Sequence, residues 1–103
     1  MARVRWTPQS INDIDQIAEY IAKDSRVYAS IQTERFFKAV KVLESQIRAG
    51  RIVPEIDDDS IREIILGYYR IIYRLVNDDQ ADILTVHHSR MDPGSNTIFK
   101  SLL

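Results

Sequence analysis

The sequence predicts an α+β fold: a two-layer sandwich in the order β-α-α-β-β-β, with an antiparallel sheet packed on a helical hairpin. Three observations carry the prediction. Residues 61–75, IREIILGYYRIIYRL, are rich in Ile and Tyr, which cover pleated, half-buried surfaces well, and Gly67 divides them. A further strand pattern, ADILTVHH over 81–88, follows closely. Ahead of both lie two stretches whose apolar residues recur every three to four positions, the spacing of helices with one buried stripe. A chain of 103 residues is one domain, long enough to bury a core between two layers.

The elements follow in order. ARVRW over 2–6 alternates as a short strand. Thr7 then serves as a helix N-cap and Pro8 as the first helical residue, where its missing N–H would be unpaired in any case. Ile11, Ile14, Ile17, Ala18 and Ile21 form the apolar stripe of a helix over 8–23, and Asn12, Asp13, Gln16 and Glu19 its wet face. Asp24-Ser25 breaks the chain with capping chemistry. The stripe Phe36, Val40, Leu43, Ile47, widened by Ala29 and Phe37, predicts a second helix over 27–49 that Gly50 terminates. The short connection makes the pair antiparallel. Residues 51–60, RIVPEIDDDS, read as a loop, since Pro54 forbids helix and three successive aspartates seek water.

Gly67 tolerates positive φ, so a tight turn at Gly67-Tyr68 joins strands over 61–66 and 69–76. The second strand presents Tyr69, Ile71, Tyr73 and Leu75 on one face and Arg70, Ile72 and Arg74 on the other. Asn77-Asp78-Asp79-Gln80 turns the chain into the next strand. If Val76 opposes Ala81, Arg70 opposes His87 and Tyr69 opposes His88. A bulge would shift this register and could turn Arg90 toward Arg70. The first strand joins the later ones in one sheet, because its backbone groups need partners. The second sheet face is expected to stay partly open. Beyond a turn over 91–96, residues 97–103 form either a final helical turn folded on the domain or a segment that orders on a partner.

Composition narrows the function. The net charge of −1 argues against a general nucleic-acid binder, which draws most of its affinity from phosphate neutralisation. Without cysteine there are no disulfides, no thiolate metal sites and no thiol nucleophile. No run of apolar residues is long enough to span a membrane, and the N-terminus lacks an apolar signal core, so a cytoplasmic protein is expected. The three glycines stand singly, so there is no phosphate loop and no cofactor motif. His87 and His88 are neighbours on a strand and point to opposite faces, so they cannot share a metal ion. What remains is a cluster of Arg62, Arg70, Arg74, Arg90 and a histidine, His87 or His88. Guanidinium forks suit phosphate or carboxylate, although arginines can equally pair with surface acids such as Glu63, Asp82 and Asp92.

The chain resembles the RelE/ParE superfamily, the toxins of type II toxin–antitoxin modules. The resemblance spans nearly its whole length. It rests on the strand-and-two-helix opening, the loop Arg51-Ile52-Val53-Pro54-Glu55, the segment Ile61-Arg62-Glu63-Ile64, the block GYYRIIYR over 67–74 and the ending Val86-His87-His88-Ser89-Arg90. One branch of that superfamily cleaves messenger RNA on the ribosome with basic residues and an acid–base group. For that branch the resemblance implies Arg62, Arg70 and Arg90 as basic residues, yet Ile64 stands where a lysine is often found, and no Tyr or His follows Met91; the acid–base role would fall to His88, which lies before Arg90 and not in the usual tail position. The ending and the central block resemble more closely the ParE-like branch, which poisons DNA gyrase without being an enzyme. That branch implies a cognate antitoxin as partner, a toxin–antitoxin hetero-oligomer, and no cofactor, metal or membrane.

Overall fold

The computed structural model describes residues 1–103. It contains β1 (Arg3–Trp6), α1 (Pro8–Ala22), α2 (Arg26–Ala39), β2 (Arg51–Ile52), β3 (Ile61–Leu66), β4 (Tyr69–Asn77), β5 (Gln80–His88) and α3 (Thr97–Leu102). Single 3₁₀ turns lie at Lys41–Glu44 and Pro93–Ser95. The five strands form one sheet in the order β1-β5-β4-β3-β2, with the α1–α2 hairpin across one face. The α+β two-layer fold is therefore as expected. Within it β1 lies parallel to β5, Val4 opposite Ala81 and Trp6 opposite Ile83, while every other pair is antiparallel.

Both helices begin at their predicted caps. The Thr7 hydroxyl oxygen accepts from the Ser10 N–H at 3.2 Å, and Ser25 Oγ accepts from the Tyr28 N–H at 3.0 Å. Ile14, Phe36, Val40 and Leu43 then pack on Ile71, Tyr73, Ile83 and Val86 of the sheet to form the main core. Asp13 covers the edge of β5 beyond β1, where its carboxylate accepts from the Val86 N–H at 3.0 Å and from the Thr85 hydroxyl. An edge strand that would otherwise present unpaired groups is thereby closed by a helix.

The second helix is shorter than its apolar stripe suggests. It stops at Ala39, and the stripe continues through the 3₁₀ turn, where Leu43 is still fully buried. Beyond that turn the chain is held by β4. The buried Tyr73 hydroxyl donates to the Ile47 carbonyl at 2.9 Å and accepts from the Gly50 N–H at 3.0 Å, which holds 47–50 as an irregular turn. Gly50 is accordingly not a helix cap. A Cβ there would lie 2.6 Å from the Glu63 carbonyl oxygen and 2.7 Å from the Tyr73 ring. Only a residue without a side chain lets the backbone come this close. Directly after it, residues 51–52, expected as loop, pair with Glu63 and Arg62 as β2.

The hairpin turns where predicted. Gly67 has φ +58°, while Tyr68 keeps a negative φ, as in a type II′ turn. Arg70 opposes His87 and Tyr69 opposes His88, as counted from the sequence, but Leu75 rather than Val76 opposes Ala81. Two irregularities, at Ile72/Tyr73 and at Leu75/Asn77, cancel one another. Neither lies near Arg90, so no bulge carries it to the Arg70 face.

The outer face of the sheet is more covered than expected. Val53, Ile61, Ile72 and Phe99 form a second, smaller core there, flanked by Ile56, Leu84 and Leu102. The tail is thus a folded helix, capped by Asn96, whose Oδ1 accepts from the Phe99 N–H at 3.0 Å.

Candidate functional site

The residues singled out in the sequence fall into three environments. Arg62 opposes Tyr73 across the sheet, on the helix-bearing side. Its guanidinium donates to the Asp59 carbonyl at 3.0 Å, the Asp59 carboxylate at 2.7 Å and the Gly50 carbonyl at 3.0 Å. It ties the turn before β2 to the loop before β3, away from every other candidate.

Arg70 does face outward with Ile72, but its fork is turned onto the protein's own acids. Nε donates to Glu63 Oε1 at 2.6 Å, and Nη1 and Nη2 donate to the two oxygens of Glu55 at 2.6 and 2.8 Å. The Phe99 ring covers the guanidinium at 5.0 Å. Glu63, whose side chain is 0% exposed, also takes Nε of Arg51 at 2.6 Å. The result is a charge-balanced chain, Arg51–Glu63–Arg70–Glu55. The Arg70 guanidinium holds the Glu55 carboxyl down at about 2, and the acids in turn push the arginine's pKa up. Of the acids weighed as surface partners, Glu63 takes Arg70 from the interior, Asp82 takes Arg5 instead, and Asp92 accepts from the Gly94 N–H. Arg74 is exposed and forms no ion pair.

His87 lies beside Arg70, as its register requires. It is buried against Phe99 with ring centroids 5.2 Å apart, and Nε2 faces the Met91 carbonyl oxygen at 3.1 Å. Burial is the main influence lowering its pKa, so the ring is neutral near pH 7.

His88 and Arg90 make a separate group on the other side of the sheet, at the Gly67-Tyr68 end. The Arg90 guanidinium lies 4.1 Å from the centre of the Tyr68 ring. Tyr68 stacks on His88 at 6.2 Å, and His88 meets Tyr69 edge-on at 5.2 Å. The Arg90 N–H donates to Nδ1 of His88 at 3.2 Å, so that nitrogen acts as the acceptor. Burial raises the Tyr69 pKa, with Tyr28 adding to the effect. Arg90, His88 and Tyr69, but not Tyr68, line one side of a cavity of about 670 Å³ between α1 and the turn after β5, which His87 also reaches and whose walls include Ile17, Tyr20, Met91 and Ile98. Arg90 has no acidic partner, and Tyr68 and Met91 are each more than half exposed.

The geometry therefore brings Arg90 and His88 together, sets Arg70 apart in an internal ion network, and sends Arg62 to a third place. Tyr68 went unnoticed in the sequence except as a turn residue. Its signal was available: an aromatic at a hairpin tip, with a histidine at the end of the neighbouring strand β5 and an arginine two residues further on.

Small α+β domains with this arrangement of sheet and helical hairpin are known. A chain of the solved structure titled "Chromosomal ParDE TA system from P. aeruginosa" superposes with a TM-score of 0.71 over 85% of this chain and 96% of that one. At 20% identity this is a likeness of fold. The sequence goes further: residues 4–93 match the family described as the ParE toxin of type II toxin–antitoxin systems, parDE, and the chain belongs to that family. A curated protein of Sinorhizobium fredii, named "Putative toxin Y4kP", is 36% identical over 92 residues, covering 84% of this chain and 88% of its own length. No helix is long and apolar enough to cross a membrane.

Proposed function

We propose that this ParE-type toxin inhibits DNA gyrase in the cytoplasm and is neutralised by a cognate antitoxin in a hetero-oligomer. Family membership supports the class, and the separation of the candidate residues supports gyrase over messenger RNA. A ribonuclease centre needs its phosphate-binding cations and its proton donor and acceptor around one reacting group. Here Arg62 and Arg70 are spent on internal contacts, and His87, which lines the same cavity, has both ring nitrogens engaged by Met91 and Asn96, which leaves only His88 and Arg90. That pair suits recognition. The Tyr68 ring supports the unpaired guanidinium of Arg90 from 4.1 Å, so less side-chain freedom is lost when a carboxylate or phosphate of the target docks. The exposed Val27, Tyr28 and Ile31 of α2 suit an antitoxin segment that folds on binding and covers apolar surface.

The test is a supercoiling assay with purified gyrase and excess toxin, alongside mapping of RNA 5′ ends after expression in cells. Lost supercoiling with unchanged RNA ends is the expected outcome. Normal supercoiling together with new 5′ ends in translated messages would replace this reading with the ribosome-dependent endoribonuclease.

A further inference from the structure

The turn after β5 contains a hydrogen-bond chain that the function above does not use. It links a buried histidine to the cap of the last helix. Asn96 has one amide oxygen and two amide hydrogens, and all three are placed. Its Oδ1 caps α3 by accepting the Phe99 N–H at 3.0 Å. Its Nδ2 donates to Thr85 Oγ1 at 3.1 Å and points its second hydrogen at Nδ1 of His87, 3.3 Å away. Thr85 is itself committed, since its hydroxyl hydrogen goes to Asp13. The Asn96 amide therefore cannot turn over without placing its oxygen against the Thr85 oxygen and its hydrogens against the Phe99 N–H.

The chain needs His87 in a single state. With its proton on Nε2, donated to the Met91 carbonyl, Nδ1 is left free to accept from Asn96. A second proton on Nδ1 would face an amide hydrogen at hydrogen-bond distance. Either the Asn96 side chain leaves, taking the α3 cap with it, or the ring moves and pushes on Phe99. We propose that His87 is a proton-operated latch on α3: the neutral ring holds the helix on the outer face of the sheet, and the protonated ring lets it go.

Three further observations fit this assignment. α3 is six residues long, too short to persist without its cap and its packing. Its main anchor, Phe99, touches both His87 and Arg70, so release would uncover the Arg70 side of the sheet. And α3 lies outside residues 4–93, the stretch that matches the family. Burial of His87 sets the direction of the response by disfavouring the charged ring, against the Nε2 contact with the Met91 carbonyl, which favours it. Arg70 on β4 and His88 on β5 oppose its protonation, and Glu55 in the loop before β3 favours it. Asp13 on α1 is engaged by Thr85, Val86 and Gln9. Release therefore belongs to mildly acidic solution below the ordinary histidine range.

The experiment is NMR of the full chain from pH 7.5 down to pH 4, following the imidazole nitrogens of His87 and the amides of Phe99, Lys100 and Ile83. The expected result is that Phe99 and Lys100 move toward random-coil positions with the same midpoint as the His87 ring, while Ile83 stays folded. His87→Gln, which cannot take the proton, should remove that transition, whereas His88→Gln should leave it in place. Should His87→Gln fail to fold, the coincidence of midpoints in the unmodified chain still decides. Amides of α3 that stay put while His87 titrates, that move with a different midpoint, or that still move in folded His87→Gln would overturn the latch.

Discussion

Replacing Arg70 by alanine is the sharpest test of the ion network, because it removes the one cation that joins both acids. Glu63 would remain buried with its side chain 0% exposed, and Arg51, its remaining partner, is 59% exposed and well screened by water. Removing one member of a buried pair costs about 3–5 kcal/mol. Since Glu63 keeps Arg51, the lower end, about 3 kcal/mol, applies. Glu55 is partly solvated, so its lost contacts add less than about 1 kcal/mol. With about 4 °C of melting temperature per kcal/mol for a domain of this size, Arg70→Ala should melt about 12–16 °C below the unmodified protein. Far-UV circular dichroism during heating reads this directly. Arg70→Met combined with Glu63→Leu should recover much of the loss, since no buried charge is then left unpaired. An Arg70→Ala protein melting within about 2 °C of its parent would refute the reasoning, because the buried carboxylate would then cost far less than such groups do.

Other predictions rest on separate features. Gly50→Ala forces a Cβ into the Glu63 carbonyl and the Tyr73 ring, and should lower the urea-unfolding free energy by about 1–3 kcal/mol. The Glu55 carboxyl titrates at about 2 in the folded chain against an ordinary 4.5, so the folded state binds fewer protons between those values. The stability this gives is complete above about 4.5 and lost as the pH falls toward 2; Glu55→Gln should flatten that part of the urea-midpoint profile. Arg90→Ala should abolish growth inhibition while changing stability by no more than about 0.5 kcal/mol, as for exposed residues outside the core. Melting curves and colony counts with induced expression would check both halves.

The hairpin, its turn and the pairing of Arg70 with His87 were legible because strand alternation is local and Gly67 marks the turn. The end of α2 was not. Its stripe keeps helical spacing through Ile47, and no glycine or proline interrupts it; the irregular turn at 47–50 is held from Tyr73, 26 residues beyond Ile47. The parallel setting of β1 was likewise invisible, since a short alternating strand carries no sign of direction. For the site, the sequence supplied the residues but not their grouping. Glu63 reads as a solvent-facing charge, and only the loop that brings Glu55 over the sheet shows that Arg70 is held from two sides. His88 and Arg90 stayed together because they are two residues apart, within reach of one turn.

The parallel pairing of β1 with β5 bears on how the chain comes to be built. Arg5 and its partner Asp82 are separated by 77 positions, whereas β3, β4 and β5 meet through two tight turns. Contacts between neighbouring segments form early, and distant ones wait for the chain to close a long loop. On a ribosome, β1 therefore waits for β5 to emerge before it finds its place, and the sheet of a nascent chain should stay incomplete until then.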